Sequence, residues 1–349
     1  MRILLAIDSF KGCLTSTEAN AAAREGVSRT LPDAEVISLP VSDGGEGWLE
    51  AFYAASGGAF VETTVCDPLM RPIQAKYLVQ GNRVVIEIAR ASGLTLLQAN
   101  ERNPLLTSSY GTGQLIADAV YRGCRDILVG LGGSATSDAG CGMIRALHDA
   151  FGTALEPFAD VRITLGTDVV NPLFGSEGAA YVFAPQKGAT PAMVAELDSR
   201  ARTFAEESAR RMGYDCSNEP GAGAAGGLGY AFMQYLHAER RSGIDLLLDA
   251  VGFDALLADA SLVITGEGRA DRQTLMGKVP MGILRRAQRQ HVPVILLAGQ
   301  VEDKERLLSA GFTHVECIHP LGFPPSEALL PDVTRCHIAN SVSAFFPFS

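Results

Sequence analysis

The chain has 349 residues, 47% of them apolar and 19% charged, and a formal net charge of −10. That length allows about two domains with real cores. The negative balance argues against nucleic acid or an anionic membrane as the main partner, because both need basic surface. No stretch approaches the roughly 18 apolar residues of a membrane span, and the apolar run within residues 1–7 is too short for a secretory signal. Seven cysteines form no Cys-x-x-Cys pair, which predicts reduced thiols in a cytoplasm.

Residues 2–8 read as a buried parallel strand, since Ile3, Leu4, Leu5, Ala6 and Ile7 are continuously apolar rather than alternating. Ser9-Phe10-Lys11-Gly12 follows as a tight loop. Thr15-x-x-Glu18 is then a capping box that opens a helix through Ala19, Ala22, Ala23 and Val27. Asp8, Ser9 and Lys11 thus stand at the carboxyl end of a strand, the edge where open α/β sheets bind ligands. A second strand, 35–39, runs into Pro40-Val41-Ser42-Asp43-Gly44-Gly45-Glu46-Gly47 before a helix over 48–55. Two carboxylates among three glycines suit a metal or hydroxyl ligand better than a core, with an Asx-type turn at Asp43 as the alternative.

From about residue 58 the pattern alternates. Residues 60–65 and 74–88, turning at Gln80-Gly81-Asn82, predict half-buried hairpin strands, with a domain boundary near Asp67-Pro68. Glu87 lies within an apolar strand end and is expected to be paired or functional. A helix over 114–122 feeds the buried strand 126–129, the glycine-rich run 130–142 and a helix over 143–150. Glycines before a helix start offer close backbone approach and unpaired N–H groups to an anion, so a phosphate cradle is one reading. A loose dinucleotide fingerprint, Gly130-x-Gly132-x-x-Ala135, is a second, and a turn that merely packs strand on helix is a third.

Strands are predicted at 162–166, ending at Asp168, and at 179–184, leading to Pro185-Gln186-Lys187-Gly188-Ala189. A long amphipathic helix covers 191–212. Residues 220–229 form the most glycine-dense loop, before a helix over 230–239. After 244–250 strand and helix alternate again. Strand 261–265 ends in Gly266-Glu267-Gly268-Arg269-Ala270-Asp271, and strands 293–298 and 314–318 follow. The simplest assembly joins both chain ends in one doubly wound domain and makes the middle an insert.

The strand ends collect Asp8, Asp43, Glu46, Asp138, Asp168, Glu267 and Asp271 beside Lys11, Lys187, Arg269 and Lys278. Phosphoryl transfer asks for this mixture: amides and cations for phosphates, carboxylates for magnesium, one carboxylate for the acceptor proton. No P-loop motif is present. Hydride transfer from a hydroxy acid to a nicotinamide cofactor stays open, although the acidic ribose anchor would be Asp149, inside a helix. A non-catalytic nucleotide-binding protein is a further alternative, with more acidic loops than binding alone needs.

Together the motifs resemble the bacterial glycerate kinase family. The likeness lies in Asp8-Ser9-Phe10-Lys11-Gly12, Asp43-Gly44-Gly45-Glu46-Gly47, 130–138, Pro185-Gln186-Lys187-Gly188-Ala189, 220–229 and Thr265-Gly266-Glu267-Gly268-Arg269. It implies ATP- and Mg2+-dependent phosphorylation of D-glycerate at the 2-hydroxyl, giving 2-phosphoglycerate, in a monomer or homodimer. It also implies two α/β domains: a flavodoxin-like doubly wound domain (1–66 plus 245–349) and an inserted α/β domain with a mixed sheet (67–244), glycerate lying in the cleft between them. On this resemblance Asp43, Lys11 and Arg269 are catalytic, Asp43 as base, while Asp8, Ser9, Glu46 and Lys187 bind substrate. Gly132, Gly133, Ser134, Asp138, Gly221, Gly223, Gly226 and Gly227 lie along the nucleotide, and Asp168 and Glu267 are metal ligands. Ser137, Ala139 and Trp48 depart from the family's usual asparagine, glycine and threonine, and the segment 151–162 is shorter than the family leads one to expect.

Overall fold

The structure, a computed structural model, describes residues 1–346. Eleven strands follow in order: β1 Arg2–Ile7, β2 Glu35–Ser38, β3 Ala59–Cys66, β4 Pro72–Gln80, β5 Arg83–Glu87, β6 Asp126–Gly130, β7 Arg162–Gly166, β8 Glu239–Arg241, β9 Leu262–Ala270, β10 Val294–Val301 and β11 His314–Cys317. The chain divides into two compact units. One holds Met1–Asp43, Glu50–Ser56 and Ile244–Ser349, of which 347–349 lie outside the described residues; the other holds Gly44–Leu49 and Gly57–Gly243.

The first unit is built on a five-stranded sheet in the order β11-β10-β9-β1-β2, parallel throughout. Counted within the unit, this is the flavodoxin-like order 2-1-3-4-5, whose strand direction of winding reverses between β1 and β9. Helices on both faces explain why Ile3 to Ile7 read as one unbroken apolar run: every one of those five side chains is fully buried. The helix Ser16–Thr30 starts on the expected capping box, Thr15 and Glu18 each bonding the other's backbone N–H, a device worth about 1 kcal/mol. It buries Ala19, Ala22, Ala23 and Val27 in the core with Ile264, Leu297, Ile338 and Val342.

The second unit carries a six-stranded mixed sheet, β3-β4-β5-β6-β7-β8. β3 pairs antiparallel with β4, and β4 with β5 through the expected turn at Gly81-Asn82, while β5 to β8 run parallel. Its core gathers Tyr77, Ile86, Leu115, Val129, Leu147, Leu165, Tyr230 and Phe232. Trp48 is fully buried here and donates from Nε1 to the Gly243 carbonyl at 3.3 Å. It fills the space beside Gly130 and Gly166, where an added Cβ would strike its ring.

Several elements differ from the sequence expectation: β9 runs through the expected strand end to Ala270, and the helix expected over 230–239 spans Ala224–Leu236, starting inside the glycine-dense loop. Residues 179–184 are not a strand: Ala179–Phe183 is a short helix that buries Ala179 and Ala180 and exposes Tyr181 and Val182. A brief apolar run carries no period long enough to separate strand from helix. Glu239, expected to close a helix, instead opens the edge strand β8; its three residues, Glu239, Arg240 and Arg241, are charged and exposed and carry no apolar period that marks a strand.

Candidate active site

The register of the first sheet sets the site. Ala6 pairs with Thr265 and Ile7 with Gly266, so the next residues, Asp8 and Glu267, emerge side by side at the carboxyl edge, where the winding reverses. The Asp8 amide still donates to the Gly266 carbonyl at 2.9 Å. A cavity of about 360 Å³ opens there, and Asp8, Ser9, Lys11, Asp43, Glu267 and Arg269 all line it, together with Lys278. Six residues singled out in three separate motifs are thereby brought to one place.

Asp8 is buried, its Oδ1 accepting from the Ser9 amide at 2.7 Å. Burial first, and the neighbouring Asp43 second, push its carboxyl up to about 8; the Ser9 amide and Lys11 pull the other way. Glu267 is also buried. Its Oε1 accepts from Thr274 Oγ1 at 2.5 Å and its Oε2 stands 3.4 Å from Lys278 Nζ. Burial raises its proton affinity, which Lys278 and Thr274 moderate. Arg269 is exposed and bound to Glu302 at 2.6 Å and to Asp271 at 3.4 Å, so it reaches the cavity from a surface ion-pair network. Lys11 is exposed and Asp43 half-buried.

Lys278, at the start of the helix Val279–Arg289, ties down Glu267 from outside the motif that carries it, a pairing that sequence spacing did not disclose. His319 also lines the cavity, with its Nδ1 2.8 Å from Nδ1 of His337. Burial and His337 lower its proton affinity. Nothing local marks either histidine; the pairing depends on where the helix Pro331–Ala344 lies. Phe10, Pro325, Ala328 and Leu329 form the apolar wall.

The remaining expected site residues belong to the second unit: Glu46, Gly132, Gly133, Ser134, Asp138, Asp168, Lys187 and the glycines of 221–227. Glu46 is exposed, and Asp168 follows β7 half-buried. Asp138 is occupied within its own loop. Its carboxylate accepts from Ser109 N and Oγ at 2.8 Å, from Gly142 N at 3.1 Å and from Gly140 N at 3.2 Å, which satisfies free amides at the start of the helix Cys141–Phe151. Lys187 is buried, and its ammonium donates to Ser134 Oγ at 2.8 Å and the Thr136 carbonyl at 2.6 Å. Glu87, expected to be paired or functional, is paired: it accepts from the Leu49 amide and from Arg90 Nε, both at 2.8 Å.

Several glycines of these loops are filled by the chain itself. Gly226 has a φ of +69° and a Cβ there would meet the Thr136 carbonyl at 2.0 Å, while its own carbonyl accepts from the Ala139 amide at 3.0 Å. The loop 221–227 therefore lies backbone on backbone against 136–139. Gly226→Ala combines a left-handed residue with an overpacked contact, so we expect a loss of about 2 kcal/mol or more in urea unfolding. An unchanged midpoint would mean that the two loops do not rest on each other.

Among the described residues, no three or more His, Cys, Asp or Glu side chains are grouped so as to hold a metal ion by themselves, and no helix is long and apolar enough to cross a membrane.

Comparison with known proteins adds a direct likeness. A family model described as the glycerate kinase family matches residues 3–154 and 148–340. A glycerate kinase of Bacillus subtilis (strain 168) is 40% identical, over 94% of this chain and 93% of its own. A glycerate 2-kinase of Escherichia coli (strain K12) is 42% identical, over 87% of this chain and 86% of its own. A crystal structure provisionally assigned as glycerate kinase 2 from Salmonella typhimurium LT2 superposes with a TM-score of 0.82 at 36% identity, over 99% of this chain and 97% of the other.

Proposed function

The chain belongs to the glycerate kinase family, and we propose that it phosphorylates D-glycerate at the 2-hydroxyl, with ATP as donor and Mg2+ on the phosphates. Family membership displaces the hydride-transfer and non-catalytic alternatives. The observation that carries the site assignment is the single cavity where Asp8, Lys11, Asp43, Glu267 and Arg269 converge at the reversal of the first sheet.

In this reading Lys11 and Arg269 hold the substrate carboxylate or the migrating phosphoryl group. The Asp43 carboxylate takes the proton of the 2-hydroxyl as its oxygen bonds to the γ-phosphorus and the bond from that phosphorus to the ADP oxygen breaks. Asp8, whose proton affinity is raised by burial and by Asp43, binds the substrate. Glu267, buried in the cavity, fits a cation that takes one or two carboxylates and draws its remaining ligands from phosphates and water, the habit of Mg2+. Such an ion neutralises charge on the phosphates. Glu267, steadied by Lys278 and Thr274, is the proposed ligand in the first unit, and Asp168 is proposed separately as a ligand in the second. The Gly132-Gly133-Ser134 turn and the 221–227 loop carry the nucleotide. Seven free cysteines suit a cytoplasmic enzyme, and its assembly is proposed as a monomer or homodimer.

A coupled ADP-release assay on D- and L-glycerate tests donor and enantiomer, and phosphorus NMR of the product tests the position. Attachment at the 2-hydroxyl leaves the phosphorus coupled to a single methine proton. A phosphorus coupled to a methylene pair would move the reaction to the 3-hydroxyl.

A further inference from the structure

Among the described residues, the Lys187 ammonium is the one buried cation that the proposed mechanism leaves unused. Lys187 ends the turn Pro185–Lys187 and is 3% exposed. Both its recorded acceptors, Ser134 Oγ and the Thr136 carbonyl, are neutral. Asp138 is the one charged group that acts on it among the described residues, and that carboxylate already takes four donors of its own. Arg102, whose carbonyl packs on the following Gly188, points to an exposed position. Around the ammonium the loop is polar and undersatisfied: Thr136 Oγ1 and Ser137 Oγ are buried without a hydrogen-bond partner. Burial lowers the proton affinity of Lys187 to about 7, with Asp138 opposing. A buried charge without an adjacent counter-charge is costly, and such groups cluster where a ligand supplies the missing partner.

The loop that Lys187 holds from within has an outward side, where Gly133 is exposed in a left-handed conformation of φ +72°. We propose that Lys187 is a positioning residue for the nucleotide: it anchors Ser134 and Thr136 from beneath, and the phosphates supply the counter-charge that its ammonium lacks. The inference rests on the reading that the nucleotide lies along Gly132-Gly133-Ser134. Its consequence is linkage. Phosphates favour the protonated lysine, so nucleotide binding takes up a proton when the free protein is largely unprotonated there, and affinity weakens as pH rises.

The test is calorimetric titration of ADP into the full-length protein at pH 7.5 and 9.0, in two buffers of different ionisation enthalpy, with wild type, Lys187→Met, Lys187→Arg and Gly133→Val. Wild type should take up protons at pH 9.0 and lose affinity on the order of 10-fold between the two pH values. Lys187→Met should lose both the uptake and the pH dependence and bind weakly at pH 7.5, while Lys187→Arg should bind without pH dependence. A purely structural post would weaken binding equally at both pH values, and that result, or unchanged uptake in Lys187→Met, overturns the inference. Should Lys187→Met fail to fold in a melting control, absence of proton uptake in wild type overturns it as well. Gly133→Val reports on the underlying reading: lost binding there with an inert Lys187→Met refutes the inference alone, and intact binding there refutes the loop as nucleotide site.

Discussion

Asp43→Asn should lower the turnover of glycerate by about 100-fold or more, with the folded state intact. Asparagine keeps the shape and the hydrogen-bonding reach of aspartate but cannot accept the hydroxyl proton. Asp43 stands half-buried at the cavity edge, so no core contact is lost and melting should be close to wild type. Because a base acts in the transition state, the loss should fall on kcat and leave KM for glycerate near its starting value. A variant that folds and turns over at the wild-type rate would remove Asp43 from the chemistry and shift attention to Asp8, whose proton affinity Asp43 raises.

Asp8→Asn should change how stability depends on pH. In the folded protein the Asp8 carboxyl is held at about 8, against an ordinary value of 3.8, chiefly by burial. Between those values the unfolded chain has released this proton and the folded chain retains it. The folded state therefore binds more protons, and its stability falls as pH rises through the window, by up to about 1.4 kcal/mol per pH unit from this one group. Below about 4 both states are protonated, and above about 8 both are ionised, so the slope vanishes at each end. Asparagine does not titrate. Urea midpoints at pH 5 and pH 8.5 should differ less for the variant than for wild type, and at pH 8.5 the variant should be the more stable. Parallel pH slopes for the two proteins would show that Asp8 ionises freely. Stability lost in wild type at a cavity-lining acid is the usual trade for a site whose charges are balanced by ligand.

How far the sequence carried the site depends on whether the information was local. Asp8 was legible because a continuous apolar strand must be covered on both faces and must end at a ligand-binding edge. The capping box at Thr15 and Glu18 needed four residues and no tertiary context. The strand 162–166 was read to the residue, since its apolar run is bounded by charge on one side and glycine on the other. By contrast, nothing near Glu267 announces Lys278 or Thr274 as its partners, and nothing near Asp138 tells that Ser109 would take up its carboxylate. Those pairings exist only once helices and loops are packed. The glycine loops were half legible. Their composition gave close approach, but at Gly226 the group that approaches is the Thr136 carbonyl of the same chain. Composition alone does not say whether ligand or backbone fills the space. The short helix Ala179–Phe183 belongs to the same class, since its alanines become a buried face only against neighbouring helices.

The most direct test is a crystal structure of the enzyme with D-glycerate and a non-hydrolysable ATP analogue. The account places the 2-hydroxyl within hydrogen-bond reach of the Asp43 carboxylate, with Lys11 on the carboxylate or the terminal phosphate. Glycerate seated elsewhere, with Asp8, Asp43 and Glu267 untouched by either ligand, would contradict it.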